Sequence, residues 1–183
     1  MPNKDNKDLR AYNNDKLSNV PVGVKVFILK SWSSGATFFF IYMSTAVFKL
    51  LSNHWDRWFL TALVLVLVNE YFINLLIKYM ERKDYSMEKY AMCINNKFSL
   101  VVNFFYIILV AFLTILLGGF IIDQGISLSR IFFPNEAATW EPIMFGLFYY
   151  GVDTGLIFIK NFIVKLIRKN KIQKDEGENE VEI

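Results

Sequence analysis

The chain has 183 residues, of which 54% are hydrophobic and 17% aromatic, and its formal net charge is +3 at pH 7. That length suits a single domain, and so small a net charge does not indicate a nucleic-acid partner. The single Cys93 excludes an internal disulfide and a cysteine-cluster metal site, and the single His54 leaves little imidazole chemistry. We therefore expect no bound metal and no cofactor.

Four apolar blocks, residues 24–51, 57–80, 100–122 and 142–167, predict transmembrane helices. Each has at least about 20 residues, which is enough to cross a hydrocarbon core of about 30 Å as a helix. Their apolar residues are continuous rather than alternating, which argues against strands. The alternative is a soluble bundle of buried helices, but four such blocks with few charges are typical of membrane proteins. The sequence thus predicts an all-α integral membrane bundle of four transmembrane helices.

The two ends of the chain are polar. Residues 1–23 lack the apolar stretch of a cleavable signal peptide, and we expect the charged tail, residues 168–183, to be disordered. Of the 20 Lys and Arg residues, 17 lie in the N-terminal stretch as far as Lys30, between Lys78 and Lys97 around the loop that joins the second and third spans, or from Lys160 onward. The exceptions are Lys49, Arg57 and Arg130. The positive-inside rule therefore predicts cytoplasmic termini, and we expect the plasma membrane.

Two carboxyl groups interrupt the apolar blocks. Glu70 follows Trp58 by twelve residues, or about 18 Å of helix, and Asp153 follows Pro142 by eleven, or about 16–17 Å. Both spans run inward from the outer surface, so the two acids are expected at similar depth. Each would cost about 2.5–3.5 kcal/mol at the centre of a membrane helix, which disfavours contact with lipid. We therefore expect both to face the interior of the protein, a water-filled cavity or another subunit.

Other polar residues fall on the same helical faces and predict a polar seam. Glu70, Asn74, Asp153 and Tyr149 are the candidates for binding a proton or cation, and Lys30, Lys78 and Lys160 would line the seam on its cytoplasmic side. The alternative is structural, with the acids hydrogen-bonded across helices and the lysines reaching the headgroups. Gly151 and Gly155 have GxxxG spacing, and with Gly146 they predict close packing of the fourth span.

Three functions follow from these patterns. The first is a proton- or cation-linked transport or permeation protein that uses buried acids between helices. The second is a non-catalytic membrane subunit or scaffold that binds a partner membrane protein. An intramembrane enzyme ranks last, because the single Asp153-Thr154-Gly155 tripeptide lies within a helical run and lacks the second copy that aspartic proteases need. The expected partners are the lipid bilayer and either further copies of the chain or a partner membrane protein, and no nucleic acid.

Overall fold

The computed structural model describes residues 20–80, 90–92, 99–135 and 139–179. Within these ranges, the side chains of residues 22, 72–80, 99–100 and 170–179 are not described. The predicted N-terminal segment therefore lies outside the described residues as far as residue 19, and the predicted tail lies outside them from residue 180.

The described residues form α-helices and no β-strand, which confirms the prediction of an all-α fold. A π-helical segment, Phe38–Met43, joins the first two helices without a break. The α-helices in chain order are α1 (Val22–Thr37), α2 (Ser44–Val47), α3 (His54–Met80), α4 (Ser99–Asp123), α5 (Leu128–Phe132) and α6 (Pro142–Asn179).

Three segments of these helices are long and apolar enough to cross a membrane: Gly23–Val47, Val101–Phe132 and Pro142–Lys169. They overlap the first, third and fourth predicted spans. The second predicted span forms α3, a helix of 27 residues, but α3 is not among these three segments. The apolar run of α3 continues into residues 72–80, whose side chains lie outside the described part of the chain. The helices are thus compatible with a membrane protein.

Two helix ends differ from the predicted bounds. The first span stops at Val47, and Lys49 then takes a positive φ of 52° while the Leu50 amide donates to the Thr45 carbonyl at 3.1 Å. The left-handed conformation costs a residue other than glycine about 1–2 kcal/mol. The sequence had predicted that the helix continues through this position to residue 51. At the other end, α6 continues to Asn179, into the charged segment that was expected to be disordered. Residues 168–176 contain neither proline nor glycine, so nothing in them breaks the helix.

The long helices close into a bundle in which each packs mainly against two others. Helix α1 packs most extensively against α6, α6 also against α4, α4 against α3, and α3 against α1. Helices α1 and α6 run antiparallel, because Gly35 approaches Pro142 and Phe27 packs against Tyr150 at a ring-centroid distance of 4.9 Å. The core thus lies between four helices, with α1 and α6 as its closest pair.

Aromatic rings fill one end of this core. Phe38 stacks on Phe145 with ring centroids 4.7 Å apart, and Trp58 lies 5.6 Å from Phe38 and 5.9 Å from Phe145. All three side chains are buried. Offset aromatic contacts of this kind add about 0.5–1.5 kcal/mol per pair beyond their area. They hold the π-helical segment, α3 and α6 together at the end of the bundle away from the polar side chains described next.

Candidate functional site

The centre of the site is an ion pair between α1 and α6. Lys30 Nζ donates to Asp153 Oδ2 at 2.5 Å, and the two residues are only 6% and 4% exposed. Removing either charge from water is costly, so a buried charge needs a close partner and further hydrogen bonds. Each supplies the partner that the other requires. The sequence predicted that Lys30 lines the cytoplasmic side of the polar seam, and it did not predict the ion pair with Asp153.

Two further groups complete what we call the ion-pair site, which consists of Lys30, Asp153, Tyr106 and the carbonyl of Tyr90. The Tyr106 hydroxyl donates to Asp153 Oδ1 at 2.7 Å and lies 3.1 Å from the Asp153 carbonyl oxygen. Lys30 Nζ also donates to the Tyr90 carbonyl at 2.8 Å. The site therefore ties α1, α4, α6 and the segment 90–92 to one another.

The crossing of α1 and α6 explains why Lys30 meets Asp153. At the crossing, a side chain on Gly35 or Gly146 would meet the backbone of the facing helix. Lys30 precedes Gly35 by five residues and Asp153 follows Gly146 by seven, which correspond to about 7.5 Å and about 10.5 Å of helix. Because the helices are antiparallel, both displacements lead to the same end of the bundle and to nearly the same level.

Hydroxyl side chains keep the α1 surface narrow near this crossing. Ser34 Oγ donates to the Lys30 carbonyl at 2.6 Å, and Thr37 Oγ1 donates to the Ser33 carbonyl at 2.8 Å. Such bonds to the preceding turn satisfy a buried hydroxyl within its own helix. Ser33, Ser34 and Thr37 are therefore buried without needing a partner on α6, which leaves room for the backbones to approach.

Glu70 lies outside the ion-pair site. Its Oε1 accepts a hydrogen bond from Asn103 Nδ2 at 2.6 Å, and the residue is only partly buried. Among the described side chains, the hydrogen bonds of Glu70 and of Asp153 lead to different partners. These contacts therefore do not join the two acids to each other, although both groups do face other helices.

A second polar contact joins α3 and α6. Asn69 Nδ2 donates to the Tyr149 hydroxyl at 2.7 Å and to the Leu65 carbonyl at 3.2 Å, and both Asn69 and Tyr149 are buried. The sequence prediction included Tyr149 but not Asn69, because the ionisable Glu70 next to it was taken as the candidate. A buried amide between apolar residues is itself a signal for an interhelical hydrogen bond.

The remaining predicted residues are dispersed. Lys160 Nζ donates to the carbonyls of Ala91 at 2.7 Å and Met92 at 3.3 Å, so it holds the segment 90–92 near α6. Asn74 and Lys78 belong to α3, but their side chains lie outside the described part of the chain. Of the three predicted packing glycines, Gly146 lies at the crossing with α1, whereas Gly151 and Gly155 are exposed and would meet no described atom within 4 Å.

A cavity of about 190 Å³ adjoins the ion-pair site. Lys30 and Asp153 line it, together with polar Thr154 and Asn161 and apolar Val26 and Ile157. Among the described residues there is no group of three or more His, Cys, Asp or Glu side chains that could hold a metal. The cavity is therefore bordered by one ammonium, one carboxylate and neutral groups.

Comparison of the chain with protein-family models, curated proteins and solved structures finds no match.

Proposed function

We propose that the chain is an integral protein of the plasma membrane that crosses the bilayer four times, with both termini in the cytoplasm. Three apolar helical segments and the apolar sequence of α3 support four crossings. The distribution of Lys and Arg supports the orientation. Labelling with a membrane-impermeant thiol reagent in a Cys93→Ser background tests it: Asn53→Cys should react in intact cells, and Ile183→Cys only after permeabilisation. The reverse pattern would reject this topology.

The function that the geometry supports best is proton-linked transport or permeation through the ion-pair site. The observation that carries it is the buried Lys30–Asp153 pair, next to a cavity and within two segments that are apolar enough to span a membrane. Ionisable groups at such positions are expensive and commonly belong to ion or proton pathways. The Lys30 ammonium already occupies the cation position beside Asp153, which favours a proton over a metal cation.

Protonation of Asp153 would change the site in a defined way. A neutral carboxyl group no longer compensates the Lys30 ammonium, although Lys30 would keep its bond to the Tyr90 carbonyl. The Lys30 ammonium would then bond to another acceptor, and the Lys30–Asp153 contact between α1 and α6 would weaken. A proton on Asp153 is thereby coupled to the packing of two helices, as a transport cycle requires.

Proton flux into proteoliposomes tests this function. The purified chain is reconstituted with a trapped pH-sensitive dye, and a potassium gradient with valinomycin supplies the driving potential. We expect flux above that of protein-free liposomes for the wild type and for Asp123→Asn, a matched change at an exposed aspartate at the end of α4. Asp153→Asn should lower it at least about tenfold, since a lost charged hydrogen bond is worth about 1.5–3 kcal/mol.

Two outcomes would reject the proposal. One is flux that is equal in the wild type and in Asp153→Asn. The other is the absence of flux from wild-type protein whose insertion has been verified by protease protection. Because four helices leave little room for a path, we also propose that the working unit contains several copies, which light scattering of the detergent-solubilised protein would measure.

A second candidate function is a non-catalytic membrane subunit. The observation that favours it is an apolar groove of about 490 Å³ between α6 on one side and α1 with the π-helical segment on the other. Trp32, Phe39, Phe40, Ile143 and Leu147 are among the residues that line it. A helix of a partner membrane protein would fit there through van der Waals packing. This function predicts that Leu147→Trp reduces the size of the solubilised complex, while no variant shows proton flux.

A further inference from the structure

The cavity beside the ion-pair site has the size of a small solute. Its volume of about 190 Å³ corresponds to about six water molecules at about 30 Å³ each. That is below the range of about 300–1,000 Å³ that is usual for drug-sized ligands. A solute that fits this cavity has few heavy atoms, with one polar group against Lys30 and Asp153 and a short carbon chain against Val26 and Ile157.

The hydrogen bonds of Lys30 define the polar group. An ammonium has three N–H donors and no acceptor. Within the described part of the chain, two of these donors are directed to Asp153 Oδ2 and the Tyr90 carbonyl. The third can bond to an oxygen acceptor of a solute in the cavity that Lys30 lines. A carboxylate is the strongest such acceptor, because both partners of the bond are then charged.

Charge balance links this solute to a proton. At rest, the positive Lys30 and the negative Asp153 cancel. A carboxylate that entered alone would leave one uncompensated negative charge next to Asp153, within a segment apolar enough to span a membrane, which is strongly unfavourable. If Asp153 takes up a proton at the same time, Lys30 pairs with the solute instead, and the net charge of the site again is zero.

We infer that the cavity binds a small monocarboxylate together with one proton on Asp153. This deepens the proposed function and rests on it, since it names the solute that the proton accompanies. The titratable groups around Asp153 are Lys30 on α1, Tyr106 on α4, Tyr90 in the segment 90–92, and Tyr149 and Tyr150 on α6. Among these groups, Asp153 is the one whose negative charge the incoming carboxylate would meet, so the proton is assigned to it.

Uptake of radiolabelled pyruvate by proteoliposomes tests the inference. Pyruvate has six heavy atoms, is ionised at neutral pH and crosses lipid slowly in that form. An inward proton gradient should raise its uptake about tenfold or more, as expected when a charged hydrogen bond depends on the proton. Uptake should not respond to the membrane potential, because one proton and one anion carry no net charge. An excess of the uncharged analogue pyruvamide should not reduce the uptake of radiolabelled pyruvate.

A variant that blocks the cavity avoids disturbing the ion pair. Thr154→Phe places a ring at an exposed position on the cavity wall and should lower pyruvate uptake, while its control, Ile159→Phe, adds a ring at an exposed position of the same helix that does not line the cavity. Equal uptake by the two variants would overturn the inference. Circular dichroism and elution volume verify that both variants fold.

The outcomes separate the two proposals. Asp153-dependent proton flux that pyruvate neither accelerates nor accompanies would overturn the monocarboxylate inference and leave proton-linked transport standing. The absence of proton flux from verified wild-type protein without pyruvate would overturn the proposed function, and the monocarboxylate inference with it. Pyruvate uptake that follows the membrane potential rather than the proton gradient would refute the coupling to a proton on Asp153.

Discussion

Gly146→Ala is expected to weaken the crossing on which the ion-pair site depends. A Cβ at Gly146 would clash with the carbonyl oxygen of Ser31 and lie 3.1 Å from its carbonyl carbon and 3.4 Å from the amide nitrogen of Gly35. These are backbone atoms of the facing helix, which cannot rotate away as the end of a flexible side chain can. The helices α1 and α6 must therefore separate to admit the methyl group.

The same substitution at Gly151 supplies the control. Gly151 is exposed on α6 and an added Cβ there would meet no described atom within 4 Å. Both substitutions gain about 0.8–1.0 kcal/mol from the better helix propensity of alanine. Gly146→Ala also loses about 1–3 kcal/mol through overpacking. The difference in free energy of unfolding between the two variants therefore measures the cost of the clash at the crossing. We expect Gly146→Ala to be less stable than Gly151→Ala by about 1–3 kcal/mol.

Reversible unfolding in mixed micelles with increasing SDS, followed by tryptophan fluorescence, measures this difference. We expect Gly151→Ala to unfold at the same SDS fraction as the wild type or higher, and Gly146→Ala at a lower one. Two variants of equal stability would refute the antiparallel contact of α1 and α6 at this level. They would also remove the geometric reason for placing Lys30 opposite Asp153.

The remaining predictions concern the ion pair and its hydrogen bonds. In the same unfolding assay, Lys30→Met should lose about 3–5 kcal/mol by leaving a buried carboxylate uncompensated, whereas the double variant Lys30→Met/Asp153→Leu should recover most of that loss. A double variant as unstable as the single one would contradict a direct pair. Tyr106→Phe should cost about 1.5–3 kcal/mol through its lost bond to Asp153. Tyr150→Phe, at a ring packed against Phe27, should change stability far less; equal losses would exclude a special role for the Tyr106 hydroxyl.

The helical architecture could be predicted from the sequence because long apolar runs permit few other structures. The π-helical segment Phe38–Met43 and the end of the first span before the left-handed Lys49 could not, since no glycine or proline marks either feature. The helical course of α6 through Lys169 to Asn179 was missed for a related reason: charge indicates solvation but does not prevent a helix.

The candidate site could be predicted only in its parts. Composition and depth selected Asp153, Lys30 and Tyr149, but depth says nothing about the direction of a side chain. The partner of Asp153 is decided by the rotation of α1 against α6, which the Gly35–Gly146 crossing sets. The sequence emphasised Gly151 and Gly155 by their spacing, whereas the close approach pairs Gly146 with a glycine on another helix.

We assign the transport proton to Asp153 and an interhelical hydrogen bond to Glu70, and their amide variants distinguish these two roles. Proton flux is measured in parallel proteoliposomes that contain the wild type, Asp153→Asn or Glu70→Gln, a change that keeps an acceptor for Asn103. Flux should be lost in Asp153→Asn and retained in Glu70→Gln. Flux that survives in Asp153→Asn but disappears in Glu70→Gln would refute this assignment and place the proton pathway between α3 and α4.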